Sequence, residues 1–409
     1  MAFLEGIVVL ERSSNGFVRI VLSDPSDFCL VAQLEVVSLC SFPFFSSESK
    51  SDKIFTFTTD SYYCYGYNVL ISGSFYSIVL FANYLMPNLY KMLLKNIDMF
   101  FVKQCIGFDI KYLVSIIKTL VIQWTVDPNN DMCAYMFDST YKVKAPKCLL
   151  FDEYDPLSYF SCTTEFINVW KCLMTKKTVL VMCDSPEILE DSIYSLLSLV
   201  TPFVFKDPIL LTYNKYDPRL YDNSKSYSII GVVSSTDISI PHSVHIVLHA
   251  SKTSIKLSSQ ELIITKKKAS LLYEIICHIS DRNLETDPYH ELLGFPIIGE
   301  DINDIMSSEM KRKTLNYQEL KTFESTKTFQ GWSISRRFRS IVRDAFLSSS
   351  AKELMVKKTT DELKAILKYI PFIIKAYPND NHLKSVFKNH RRIILEITGS
   401  NSDASDDSE

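Results

Sequence analysis

Glycine is scarce, with ten residues in 409, and none stands in a G-x-G-x-x-G run or leads into Gly-Lys-Ser/Thr. The backbone cradle that such loops build around phosphates is therefore missing, which argues against a P-loop or a dinucleotide-binding turn. A G-x-S-x-G elbow, an H-E-x-x-H helix and the kinase signatures are also missing, so enzyme classes that rely on local motifs are disfavoured. The ten cysteines never form a C-x-x-C knuckle, and they read as reduced core thiols of a cytosolic protein. Positive charge is not in surplus: 44 Lys and Arg stand against 47 Asp and Glu, a net charge of −3. The cations are scattered rather than gathered into a stripe that could track phosphates, so nucleic acid is not an expected partner. Long apolar runs are lacking too. The most hydrophobic helical stretch, 112–124, is interrupted by Lys118 and falls short of the ~20 residues a membrane span needs. Any membrane contact is expected to be peripheral. At the N-terminus, Glu5 interrupts the apolar run and no basic region precedes it, so the segment reads as a strand entering a turn at Asn15-Gly16 rather than as a signal peptide.

What the chain does have is core-forming material: 47% hydrophobic and 22% charged residues. Its length exceeds what one hydrophobic core serves, so two lobes and an extension are expected. β-branched and aromatic runs at 6–10, 17–22, 53–57 and 62–72 predict strands separated by Asn-Gly or Ser/Asp-rich turns. After Gly73 the period reads as helical, through Ile78, Leu80, Leu85, Leu89, Leu93 and Leu94, with Pro87 marking a fresh helix start. A further helix over 111–123 closes a first lobe, 1–125. DPNND, KAPK and DEYDP punctuate 126–160, which reads as a linker with one short strand at 147–151.

A second, mostly parallel α/β lobe is expected over 161–265. Helix 166–174 precedes TVLVMC at 178–183, a continuous apolar run of the kind a fully buried parallel strand shows. Asp184-Ser185-Pro186-Glu187 then offers a cap, a proline and a first-turn acid for a helix over 188–200. Further strands are predicted at 209–213, 228–233 and 245–249. A helical region follows over 266–397, with patterned segments at 271–279, 335–346, 360–368 and 383–396. Residues 398–409 read as a disordered acidic tail.

Residues that could carry chemistry have simpler readings. In HSVHIVLHA, strand alternation sends His242 to the face opposite His245 and His249, so no metal site is expected there. Asp152, Glu153 and Asp155 read as a solvated acidic loop, and Lys266–Lys268 as a solvated patch at a helix start. No cofactor and no catalytic side chain are expected.

The string EFINVWKCLMTKKTVLVMCDSPEILEDSIYSLLSLVTPFVFKDPILLTYNKYDPRL, 165–220, resembles the central module of DENN-domain proteins. SYSIIGVVSSTDISIPHSVHIVL is similar to the strand and loop that follow it, with Ile230-Gly231-Val232 and Pro241-His242 in the corresponding places. Tyr65-Gly66-Tyr67 and SFYSIVLFANYLMPNLYKMLLKNI look like the longin-type upstream module. KTFQGWSISRRF, 327–338, is similar to a G-W-x-x-x-R-R element of the downstream helical module in the subfamily that pairs with endosomal Rab proteins. Trp332 reads as a core anchor of that helical region, and Arg336 and Arg337 as cations facing acids or a membrane.

The resemblance implies a longin-like N-terminal lobe and a guanine-nucleotide exchange factor for a Rab-type small GTPase, cytoplasmic and recruited to endosomal or other trafficking membranes. Because open α/β sheets bind at the carboxyl ends of their strands, the GTPase-facing residues are expected at Tyr213, Asp217, Arg219, Tyr221, Ser234 and Thr236. Two alternatives stay open: a GTPase-activating role with Arg12 as the inserted cation, and a non-catalytic Rab-binding adaptor. The sequence does not specify the oligomeric state.

Overall fold

The computed structural model describes residues 3–399 except 14, 29–32, 44–53, 72–73, 100–108, 127–130, 137–138, 145–150, 152, 162–164, 235–237, 253–258, 290–313, 337–339 and 377–379. The chain is mixed α/β and divides into two compact units, Met1–Ala269 and Ser270–Glu409.

The first unit begins with β1 (Gly6–Arg12), β2 (Val18–Asp24), α1 (Leu34–Cys40), β3 (Ile54–Thr58), β4 (Tyr63–Ile71), β5 (Ser74–Ala82), α2 (Pro87–Ile97) and α3 (Ile110–Ile122). The five strands form one antiparallel sheet in the order β2-β1-β5-β4-β3. Ile7, Val9, Tyr65, Tyr67, Ile78 and Leu80 share a core with Leu93 and Leu94 of α2 and Leu113 and Ile117 of α3. Strand alternation sends one set of side chains to these helices and the other set to the opposite face.

The structure departs from sequence expectation in three places here. Residues 74–82 are a strand rather than the first part of a helix: β5 lies between β1 and β4 and is buried from Ser77 to Ala82, and a doubly covered strand carries an unbroken apolar run that mimics helical periodicity. The helix does start at Pro87, where the missing N–H belongs to the unpaired first turn. Second, α1 lies between the strands expected at 17–22 and 53–57, where no helix was expected. Third, the expected linker carries β6 (Thr125–Val126), β7 (Asp131–Met136) and β8 (Ser139–Lys144), an antiparallel sheet whose Ala134 and Met136 enter the first core. The strand expected at 147–151 lies almost wholly outside the described residues.

The rest of the first unit holds α4 (Phe166–Met174), β9 (Thr178–Cys183), α5 (Pro186–Leu197), β10 (Ile209–Thr212), β11 (Ile229–Val233) and β12 (Val244–His249). Its four strands are paired in parallel throughout, in the order β10-β11-β9-β12. As its apolar run implied, β9 is buried along its whole length. Helix α5 lies close on β11: a Cβ on Gly231 would fall 2.2 Å from Ile193 Cδ1. Ser185 occupies the N-cap position of α5 without a capping bond, its hydroxyl donating instead to Glu187 at 2.7 Å.

Helix α6 (Gln260–Thr286) contains the division between the units, and the 266–268 lysines sit within it rather than at its start. The second unit continues with α7 (Tyr317–Glu324), α8 (Lys327–Arg336), α9 (Ser340–Ser348), α10 (Ala351–Val356), α11 (Thr360–Ala376) and α12 (Asn381–Thr398). The helix expected over 335–346 overlaps the end of α8 and most of α9, with 337–339 outside the described residues, and Gly399 in the left-handed region ends α12. The tail beyond it and Arg337 lie outside the described residues. Trp332 is buried against Phe329, with ring centroids 5.3 Å apart.

In the same unit His390 of α12 is buried among Tyr289, Phe346 and Phe387, and Tyr289 Oη lies 2.6 Å from its Nδ1. Burial pushes the imidazole pKa down to about 4. The unfolded chain, with His near 6.5, then binds more protons than the folded one between these values, so stability falls as pH drops through that window. Urea unfolding at pH 7 and pH 5 is expected to show a loss of about 2 kcal/mol from this residue, which His390→Phe removes from the pH dependence.

Gly66 of β4 sits beneath the Phe55 ring, whose Cζ would be 2.1 Å from an added Cβ. Gly66→Ala is expected to lower stability by about 1–3 kcal/mol, read from thermal or urea unfolding, because the ring is confined by its neighbours.

Candidate functional site at the junction of the two sheets

β3 is one edge of the antiparallel sheet and β10 one edge of the parallel sheet. Each leaves backbone groups that a neighbouring strand would otherwise pair, and buried groups of this kind need partners. Side chains supply them. The Thr56 N–H donates to Glu190 Oε1 at 2.6 Å, and the Tyr213 hydroxyl lies between that oxygen, also at 2.6 Å, and the Thr56 carbonyl. The Thr58 carbonyl accepts from the Arg219 guanidinium, while Thr58 Oγ1 accepts the Leu211 N–H at 2.9 Å. Phe55 meets the Tyr213 ring edge to face, 6.2 Å between centroids. Cys40 of α1 reaches Thr212 at 3.4 Å.

Two ion pairs secure this polar layer. Glu190 of α5 faces Lys91 of α2 at 2.7 Å, and Asp191 stands 3.8 Å from the same ammonium. Burial works against the charged lysine, but Glu190 and Asp191 outweigh it and the Lys91 pKa is raised. Burial and then the Glu190 charge push the Tyr213 phenol far up, so it stays a neutral donor. Asp217 accepts the Arg219 backbone N–H at 3.0 Å and holds its guanidinium at 3.0 and 2.7 Å. Both residues are buried. Burial disfavours the guanidinium, yet its bonds to Asp217 more than compensate and its pKa rises.

Because β9, β10, β11 and β12 run parallel, their carboxyl ends lie along one side of the sheet. The loop after β10 is shaped by its own polar residues: Asn214 Oδ1 accepts the Tyr216 N–H at 2.9 Å, and Asp217 caps a 3-10 turn, Pro218–Tyr221. Beside it opens a cleft of about 330 Å³, lined by Gln33, Leu34, Asp60 and Arg219 with Asp222 and Lys225 among its other walls. Asp60 accepts from Gln33 and Lys225. Burial raises its pKa less than these two partners lower it, so it stays a carboxylate. Tyr216 and Tyr221 on the loop are 73% and 46% exposed.

Of the residues expected to face a GTPase, Tyr221 is exposed and its hydroxyl donates to the Lys215 carbonyl at 2.9 Å. Asp217 and Arg219 do not present their side chains outward; they are turned inward, where they satisfy the edge of β3. Tyr213 serves the same junction. Ser234 follows β11, its N–H donating to the Cys183 carbonyl at 2.8 Å, and Thr236 lies outside the described residues. The sequence reading missed Tyr216, although an aromatic in an Asn/Asp-Pro turn has no core to enter. It also missed Glu190, Lys91 and Asp60, whose importance comes from partners far away in the chain. Arg12 is half-buried with its guanidinium 5.8 Å from the Phe42 ring. His242 is not in a strand: its Nε2 donates to the Arg219 carbonyl at 3.2 Å. Among the described residues no cluster of three or more metal-binding side chains occurs, and no helix is long and apolar enough to cross a membrane.

The cleft and its loop present hydrogen-bonding groups and exposed aromatics. Such a surface is suited to binding. A scan against protein-family models found no match for this chain, and a search of curated proteins found none.

The Glu190–Lys91 pair is expected to behave as a buried one, where removing a single partner strands a charge. Glu190→Leu should lower stability by about 3 kcal/mol and Lys91→Met by less, with the double variant losing less than the sum; urea unfolding of the four proteins measures this cycle.

Proposed function

We propose that this chain is a DENN-type guanine-nucleotide exchange factor for a Rab-type small GTPase, working at endosomal or other trafficking membranes. The observation that supports it best is the joining of an antiparallel sheet to a parallel one through the buried layer of Glu190, Tyr213 and Arg219, beside a cleft at the carboxyl edge. Exchange needs no covalent step. It needs a surface that binds the nucleotide-free GTPase more tightly than the loaded one, so that release of GDP is favoured. Switch segments of a GTPase are order-disorder elements, and a rigid partner with a few kcal/mol of differential contact biases them. The buried junction provides that rigidity, and Tyr216 and Tyr221 are the exposed anchors best placed to make contact.

Release of labelled GDP from a panel of purified Rab GTPases tests the reading. At least one member is expected to lose nucleotide at least tenfold faster with the protein present, and Tyr216→Ala/Tyr221→Ala should reduce that acceleration about tenfold while leaving the unfolding midpoint unchanged. No acceleration across the panel would reject the proposal; binding alone would indicate an adaptor, and faster hydrolysis an activating role.

A further inference from the structure

The helical unit carries positive charge that the chain as a whole lacks. From Ala351 to Thr398 ten Lys and Arg stand against five Asp and Glu, whereas the full sequence has a net charge of −3. Helix α11 displays part of that surplus on one face. Its Leu363, Ile366, Ile370 and Ile373 enter a core shared with Leu383, Phe387 and Ile394 of α12, and at about 3.6 residues per turn these four form a single stripe. The opposite side shows Lys364, Lys368, Tyr369, Phe372 and Lys375, all exposed.

The lysines of this face are uncompensated. Between Lys364 and Lys375 the sequence holds no carboxylate. Asp361 and Glu362 are confined to the first turn, where the helix dipole favours them, and Glu362 accepts from the Thr359 N–H at 2.7 Å. Lys358 and Arg392 of the same unit are paired, with Asp287 and Glu396. Among the described residues Lys364, Lys368 and Lys375 form no ion pair.

Two aromatic rings stand among these ammonium groups. Phe372 is 70% exposed and Tyr369 37%, with ring centroids 6.4 Å apart. They offer about 200 Å² of apolar surface, well below the ~800 Å² per partner that a stable protein interface needs, and lysine is depleted in such interfaces. Anionic lipid reverses both preferences: an exposed ring gains by entering the headgroup layer, and each lysine held near the acidic surface adds to the attraction. Lys364, Lys368, Phe372 and Lys375 lie within about a quarter turn around the axis and span about 16 Å along it, so a flat surface meets all four together.

We infer that the outer face of α11 docks on an anionic bilayer surface. Phe372 and Tyr369 enter the headgroup region, and the ammonium groups of Lys364, Lys368 and Lys375 lie against acidic headgroups. The inference rests on α11 alone and not on the exchange reading.

Co-sedimentation of the full chain with vesicles of phosphatidylcholine, with and without phosphatidylserine, tests it with no GTPase present. The wild type is expected to bind the phosphatidylserine vesicles, and less tightly as salt is raised. Lys364→Gln/Lys368→Gln/Lys375→Gln should weaken that binding at least tenfold, and Phe372→Ser about fivefold, each with an unchanged unfolding midpoint. Failure of the wild type to bind, equal binding to phosphatidylcholine alone, undiminished binding by either variant, or a Phe372-dependent rise in molar mass by light scattering in place of vesicle binding would each overturn the proposal. GDP release measured separately in solution keeps a failed surface distinct from a failed exchange function.

Discussion

A sheet edge buried inside a protein must have its N–H and C=O groups satisfied, and here two such edges face each other. β3 and β10 are bridged by side chains instead of backbone pairing, with Glu190, Tyr213, Arg219 and Thr58 as the bridging groups. Without Glu190 the Thr56 amide would keep only its longer contact to the Tyr213 hydroxyl, at 3.1 Å, and the Lys91 ammonium would lose its nearest carboxylate in a region remote from water. Leaving such groups unpaired is more damaging than forming their bonds is favourable. The five-stranded and four-stranded sheets of the first unit are therefore joined through a small number of strongly placed polar contacts in an otherwise apolar interior.

These contacts also set the position of the loop that follows β10. Arg219 is held by Asp217 and reaches the Thr58 carbonyl, so the turn carrying Tyr216 and Tyr221 is tied to the first sheet as well as to the second. Apolar packing alone is tolerant of small shifts, whereas a network with defined donors and acceptors admits fewer arrangements. A loop anchored in this way keeps its exposed aromatics at a fixed place beside the Asp60 cleft, which is the property a surface needs if it is to discriminate between two forms of a partner.

Much of the architecture was legible in the sequence. TVLVMC announced a buried parallel strand because a strand covered on both faces has no polar side, and Pro87 and Pro186 marked helix starts because proline lacks the N–H that a first turn leaves free. β5 was misread for a related reason: its continuous apolar run carries neither the alternation of a half-buried strand nor the length of a helix. α1 escaped notice as seven residues within a strand-rich stretch. The 214–222 loop was found as a turn, but the direction of Asp217 and Arg219 was not, since an Asp-Pro turn has the same sequence whether its arginine meets solvent or a distant carbonyl.

The mixed α/β class, the parallel second sheet and the helical C-terminal region follow from local pattern, because hydrophobic period, proline and turn residues act over a few neighbours. Which charged residues are interior, which edges meet and which aromatics remain outside were decided only by tertiary structure. Glu190 and Thr56 are 134 residues apart and Arg219 and Thr58 161 apart. Hydrogen-bond demand at a buried edge is met by whatever the fold brings within 3 Å, and separation along the chain holds no record of that approach.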